Sequence, residues 1–160
     1  MSAENQESKC CCQINLAFAH LLARLWIGMR LFMAGLDKFR AGDGADSTFN
    51  MDNYHSKTDR IASLMTDHSF LPKALVNMYA TPIGFILLLV GLWVVVGFFT
   101  EFSLLIAGFT VLSLGFGLAA LPDDTEVVYI GVHILVIVAA LVTSKANKLS
   151  IDGLIFRKRD

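Results

Sequence analysis

Charge is scarce in this sequence, and its distribution is more telling than its amount. Asp, Glu, Lys and Arg make up 17% of the 160 residues, apolar types make up 55%, and mean hydropathy is +0.60. A soluble domain of this size carries roughly a quarter charged residues. The deficit is concentrated: residues 82–100 and 102–122 contain no Asp, Glu, Lys, Arg or His, and 127–144 contain only His133. Crossing the hydrocarbon core takes about 20 apolar residues in a helix. Three consecutive runs of that length exclude a soluble globular core and point to the lipid bilayer as solvent.

Other absences narrow the chemistry. Net charge is −1, which excludes a polyanion-binding surface and with it a nucleic-acid partner. The cysteines are only Cys10, Cys11 and Cys12, adjacent to one another. Neighbouring cysteines rarely meet disulfide geometry, and metal sites use wider spacings. Reduced thiols at the membrane edge and lipidated thiols are the two readings left. His55 and His68 lack ligand spacing, so no metal site is expected. There is no phosphate-binding glycine loop, C-x-x-C pair or nucleophile elbow. Hence no catalytic residue and no covalently bound cofactor is identified. A basic leader with a short apolar run and a cleavage site is also missing, so the first apolar segment is expected to be retained.

What is present fits one domain over residues 1–160. The expected fold is an all-α integral membrane protein: a four-transmembrane-helix bundle with spans over about 14–36, 82–99, 102–121 and 127–143. The first span is impure, carrying His20, Arg24 and Arg30. The polar connection 37–81 contains apolar residues at helical spacing, Ile61, Leu64 and Met65, then Leu75, Met78 and Tyr79. These predict two short amphipathic helices at the membrane surface. Thr100 and Glu101 separate the second and third spans, predicting a tight hairpin, and an acidic turn precedes the fourth. Four spans put both termini on one side. That side carries Lys9, Lys145, Lys148, Arg157, Lys158 and Arg159, against Lys38, Arg40, Lys57, Arg60 and Lys73 opposite. The bias favours cytoplasmic termini and a basic cytoplasmic tail over residues 144–160.

Three stretches carry a family likeness. Arg24, Gly28, Gly35 and Lys38 on the first span resemble the opening signature of the DoxX family of small membrane proteins. Pro82, Gly91 and the run Gly97-Phe98-Phe99-Thr100 resemble its second-helix pattern, and Ser150 with Asp152 the element after its fourth helix. The long connection after the first span is similar to DoxD, the small subunit of thiosulfate:quinone oxidoreductase. Family members often carry an acidic residue just inside the second span, whereas Ile83, Gly84 and Phe85 follow Pro82 here. The resemblance implies a four-helix bundle in a bacterial-type inner membrane, a protein partner subunit, and a tie to quinone-linked sulfur oxidation or redox defence. A non-catalytic anchor, an assembly factor or a small transporter is the alternative.

The charges inside the spans are candidate site residues in their own right. An Arg at mid-bilayer costs on the order of 2.5–3.5 kcal/mol on insertion scales. Arg24 therefore snorkels to an interface, faces the bundle, or contacts a ligand. Arg30 and His133 fall at similar depth, about 9 Å from one membrane face by helix rise. Tyr129 lies one turn from His133, and Glu126 tops that helix. Arg30, Tyr129, His133 and Glu126 are thus expected to line one polar pocket for a quinone head or a small anion.

Overall fold

A computed structural model describes residues 3–42, 46–69, 71–121 and 125–146. Ser150, Asp152, the tail beyond residue 146 and the acidic turn at 122–124 lie outside the described residues, as do the side chains of Cys10, Cys11 and Cys12. The described chain is helical apart from one short antiparallel β-ribbon. Helix α1 is Ala3–Asp37; the ribbon pairs β1, Arg40–Ala41, with β2, Thr48–Phe49; α2 is Met51–His68, α3 Lys73–Val96, α4 Thr100–Ala119 and α5 Thr125–Val142, followed by a single 3₁₀ turn, Ser144–Ala146.

Among the described residues, three helices are long and apolar enough to cross a membrane: Gln13–Asp37 within α1, α3 and α4. The fourth apolar stretch, Glu126–Val142, is shorter. The helix boundaries follow local chemistry. Asn50 caps α2 by accepting a hydrogen bond from the Asn53 backbone N–H at 2.8 Å. Gly97 ends α3 in the left-handed conformation at φ 72°, its N–H donating back to the Trp93 carbonyl. Phe99, also left-handed at φ 48°, then turns the chain directly into α4. The Trp93 indole N–H closes this turn on the Phe98 carbonyl at 2.7 Å.

One expectation needs correction. The second apolar helix does not open at Pro82 but at Lys73, and Pro82 lies inside it. Leu75, Met78 and Tyr79 therefore belong to the first turns of α3 and not to a separate surface helix. Proline removes one N–H from the ladder, yet the helix continues through it. Beside it the Tyr54 hydroxyl of α2 donates to the Thr81 carbonyl, and within the helix Thr81 Oγ1 donates to Asn77 O at 2.8 Å. The other expected surface helix exists as α2, but it packs along the first half of α3. Tyr54 sits against Gly84, and Ala62 and Met65 cluster with Val76 and Ala80. The two contacts run in opposite order along the chains, so α2 and α3 are antiparallel.

Helices α1 and α3 meet at backbone distance. A Cβ added to Gly91 would fall 2.4 Å from the Phe32 nitrogen, and one added to Gly35 would fall 2.9 Å from the Gly84 carbonyl oxygen. In lipid there is little hydrophobic drive between helices, so small residues that let backbones approach supply the packing. Across this seam and the α4–α5 pair runs the main core, including Ile27, Leu31, Leu87, Val94, Leu104 and Ile137.

Candidate functional site

At 3.6 residues per turn, His20, Arg24, Ile27 and Leu31 share one face of α1, and Lys38, the residue after its last, follows in the same register. The first four are buried, at 1%, 3%, 0% and 4% exposure. This face meets polar groups at its two ends and hydrocarbon between them.

At the N-terminal end, Arg24 runs inside the bundle to the turn joining α3 and α4. Its guanidinium rests on Gly97: an added Cβ there would stand 2.2 Å from Nη1 and 2.8 Å from Cζ. His20 donates from Nδ1 to the Ala140 carbonyl at 2.9 Å, with Thr143 Oγ1 at 3.3 Å. A carbonyl only accepts, so Nδ1 carries the proton and Nε2 is left as an acceptor. Nε2 meets no donor among the described residues. Thr100 and Ser103 are buried beside them and turn their hydroxyls onto the Gly97 and Thr100 carbonyls at 3.2 and 3.0 Å. Ser144 Oγ donates to Glu101 at 2.8 Å. This cluster ties the α3–α4 turn to both α1 and the end of α5.

The C-terminal end is hollow. A cavity of about 500 Å³ lies between the end of α1, α2, α3 and α4, lined by Lys38, Tyr54, Thr58, Tyr79, Glu126 and apolar side chains including Ile61, Ile83 and Leu114. Burial pushes the Lys38 ammonium below the usual lysine range; Asp37 and Glu126 pull it back, and Lys57 opposes them. The Lys38 ammonium makes no hydrogen bond or ion pair among the described residues, whereas its neighbour Asp37 bridges Arg40 at 3.0 Å and Lys57 at 3.2 Å. Deeper in, Ser113 Oγ donates to the Thr110 carbonyl at 2.8 Å, so its proton is spent. The Tyr79 hydroxyl, 2.9 Å from Ser113 Oγ, is therefore the donor of that pair. Tyr79, Met65 and Gly117 also border a second, open groove of about 830 Å³ between α3, α4 and α5. Its wall is apolar, with Phe109, Leu112 and Phe116 at its exposed edge.

The residues singled out from the sequence divide between these places. Glu126 and Lys38, picked for different reasons, line the same cavity. Tyr129 is 65% exposed, Arg30 is exposed, and His133 is half-buried. His133 Nδ1 donates to the Tyr129 carbonyl of its own helix at 2.6 Å. No hydrogen bond or ion pair joins the side chains of Arg30, Tyr129 and His133 among the described residues. Gly28 and Gly35 serve the α1–α3 seam. Tyr54, Thr58, Tyr79 and Ser113 went unselected. Tyr79 was the findable one: it extends the apolar pattern of the second span by one turn before Pro82.

No curated protein and no solved structure matches the chain. One family model does, described as TQO small subunit DoxD, over residues 50–160. It spans α2 to α5, and therefore Glu126, Tyr129 and His133, and leaves Arg24, Gly28, Gly35 and Lys38 of α1 outside. Since that match takes in well over half of the sequence, the chain belongs to the DoxD family.

Proposed function

We propose that this chain is the membrane subunit of a quinone-linked oxidoreductase of the thiosulfate:quinone oxidoreductase type, working with a partner subunit that holds the redox centre. The observation that carries the reading is the DoxD match over the same helices that enclose a cavity with polar ends beside an apolar groove. A bilayer-embedded subunit of such a complex has to give a membrane-soluble electron acceptor a place to sit. These two neighbouring spaces, one with charged groups and one largely apolar, supply that kind of place.

In this reading the chain crosses a bacterial-type inner membrane four times, with both termini cytoplasmic. The short helix Glu126–Val142 has a rise of about 25 Å, near the hydrocarbon thickness of about 30 Å. Its end is tied to α1 through His20, which supports its lying beside α1 as a fourth crossing. Single cysteines at Ser47 and Ser144 should label from opposite sides of right-side-out vesicles; labelling from one side refutes the four-span topology. The function is tested by purifying the tagged chain from its own membranes. Copurification of a redox-active partner, with thiosulfate-dependent quinone reduction by the complex, is expected. Recovery of the chain alone, with membranes lacking it still reducing quinone from thiosulfate, favours an anchor, assembly factor or small transporter.

A further inference from the structure

The hollow end of the bundle reads as a site with two compartments. In the cavity, Lys38 offers N–H donors that no described residue takes up, Glu126 offers acceptor oxygens, and flat apolar walls from Ile61, Ile83 and Leu114 stand between. The groove offers the opposite: its hydroxyls, Ser113 and Tyr79, are engaged with each other, and the rest of its wall is apolar. Met65, Tyr79 and Gly117 border both spaces, so a passage between the two would run through this neck. Gly117 puts no side chain into it, and a Cβ there would come within 3.2 Å of Met65 Cε.

We infer that an isoprenoid quinone occupies both spaces, its head ring in the cavity with one carbonyl accepting from Lys38, and its tail leaving past Gly117 along the groove to the lipid. The assignment rests on the quinone-linked reading above and gives it a place. Opposite charges at the cavity select a neutral head. The Lys38 ammonium alone would suit a phosphate or carboxylate head, but Glu126, which also lines the cavity, repels an anion. A quinone carbonyl needs one donor, and the hydroxyl of the reduced ring needs one acceptor; Lys38 and Glu126 supply one of each. The size also agrees, because ligand clefts for molecules of this kind run from about 300 to 1,000 Å³. The hydrocarbon-lined groove has no polar recognition to give beyond its neck, as a repeating tail requires.

The test uses the full chain in nanodiscs and two probes: a naphthoquinone with a four-unit isoprenoid tail, and the same ring bearing only a methyl group. Lys38→Met should weaken both by tenfold or more. Gly117→Leu should weaken the tailed quinone by tenfold or more while the tail-less ring binds as before, because only the neck is closed. In case Gly117→Leu fails to fold, a photoreactive tailed quinone on the unmodified chain gives an independent reading, with adducts expected at Met65 and along α4 near Phe109 and Phe116. If the unmodified chain binds the tailed quinone but Lys38→Met binds it equally well, the site is misplaced and the quinone-linked reading stands. If adducts fall only on residues outside both spaces, the outcome is the same. If the unmodified chain binds neither probe while its partner and the complex's quinone reduction are retained, the quinone sits on the partner and the inference is overturned. Displacement of the tailed probe by phosphatidylglycerol at equal concentration would make the site a lipid site instead.

Discussion

Arg24 within α1 and Lys38 just past its end stand in the same register, about 21 Å apart along the helix axis, and the protein treats them in opposite ways. Arg24 is closed in. Its guanidinium packs against a glycine whose missing side chain leaves the space it fills, and Thr100 and Ser103 are buried just after that glycine. Lys38 is left with a cavity in front of it and a carboxylate on the same wall. A buried cation costs free energy unless packing and polar partners compensate. Where the surroundings close on the side chain, as at Gly97, the residue holds helices together. Where they stop short, the remainder is open to a ligand.

The comparison can be broken most severely at Gly97. Gly97→Ala forces a Cβ into the guanidinium of Arg24 and puts alanine in the left-handed region. Together, about 1–2 kcal/mol for the backbone and about 1–3 kcal/mol for the overpacking should lower stability by roughly 2–5 kcal/mol. Denaturant titration in mild detergent, read by near-ultraviolet circular dichroism, would measure it. A loss below half a kilocalorie would mean that Arg24 is not held in the turn. The hollow end is expected to be more forgiving. Tyr54→Phe removes the hydroxyl that donates to Thr81 beside Pro82 and keeps the ring packed between Phe39 and Phe85. About 0.5–1.5 kcal/mol should be lost in the same titration, with helicity unchanged.

Lys38→Met sharpens the contrast through pH. Burial lowers the Lys38 pKa in the folded chain from its usual value near 10.5. Between the lowered value and 10.5 the unfolded chain binds more protons than the folded one, so Lys38 makes stability rise with pH across that window. Lys38→Met should flatten that part of the rise and leave stability at pH 7 unchanged or slightly higher. A variant that is strongly destabilised at pH 7 would show Lys38 to be structural, like Arg24. The smallest effect belongs to Asp37→Asn. Its bridges to Arg40 and Lys57 are exposed at the side chains, so less than about 1 kcal/mol should be lost, and less still in high salt.

Much of the architecture was legible because lipid imposes simple rules. Apolar runs of the right length, broken by Gly97 and a Thr-Glu pair, were enough to place α4 and the α3–α4 hairpin within a few residues. Pro82 misled because proline is a strong local signal for a helix start, whereas here it sits inside a helix braced beside it by Tyr54, which bonds Thr81 from 27 residues away in sequence. The same misplacement hid Tyr79 from the list of candidate residues. Depth along a span could be counted, and it put Arg30 and His133 at one level; rotation about the helix axis could not, and that decides which side chains share a space.

Taken by itself, the sequence determined that this chain is helical, that it belongs in a membrane, and that Arg24 lies within the first apolar helix while Lys38 stands at its end. Those follow from charge-free length and from a period of 3.6, which are properties of a chain segment and its solvent. Only the tertiary structure decided that Arg24 packs against Gly97, that Lys38 and Glu126 share a cavity, and that Gly117 borders both that cavity and the groove. Each of these depends on which faces of distant helices meet, and that is set by backbone approach at Gly28, Gly35 and Gly91, where atoms from two parts of the chain come within contact distance.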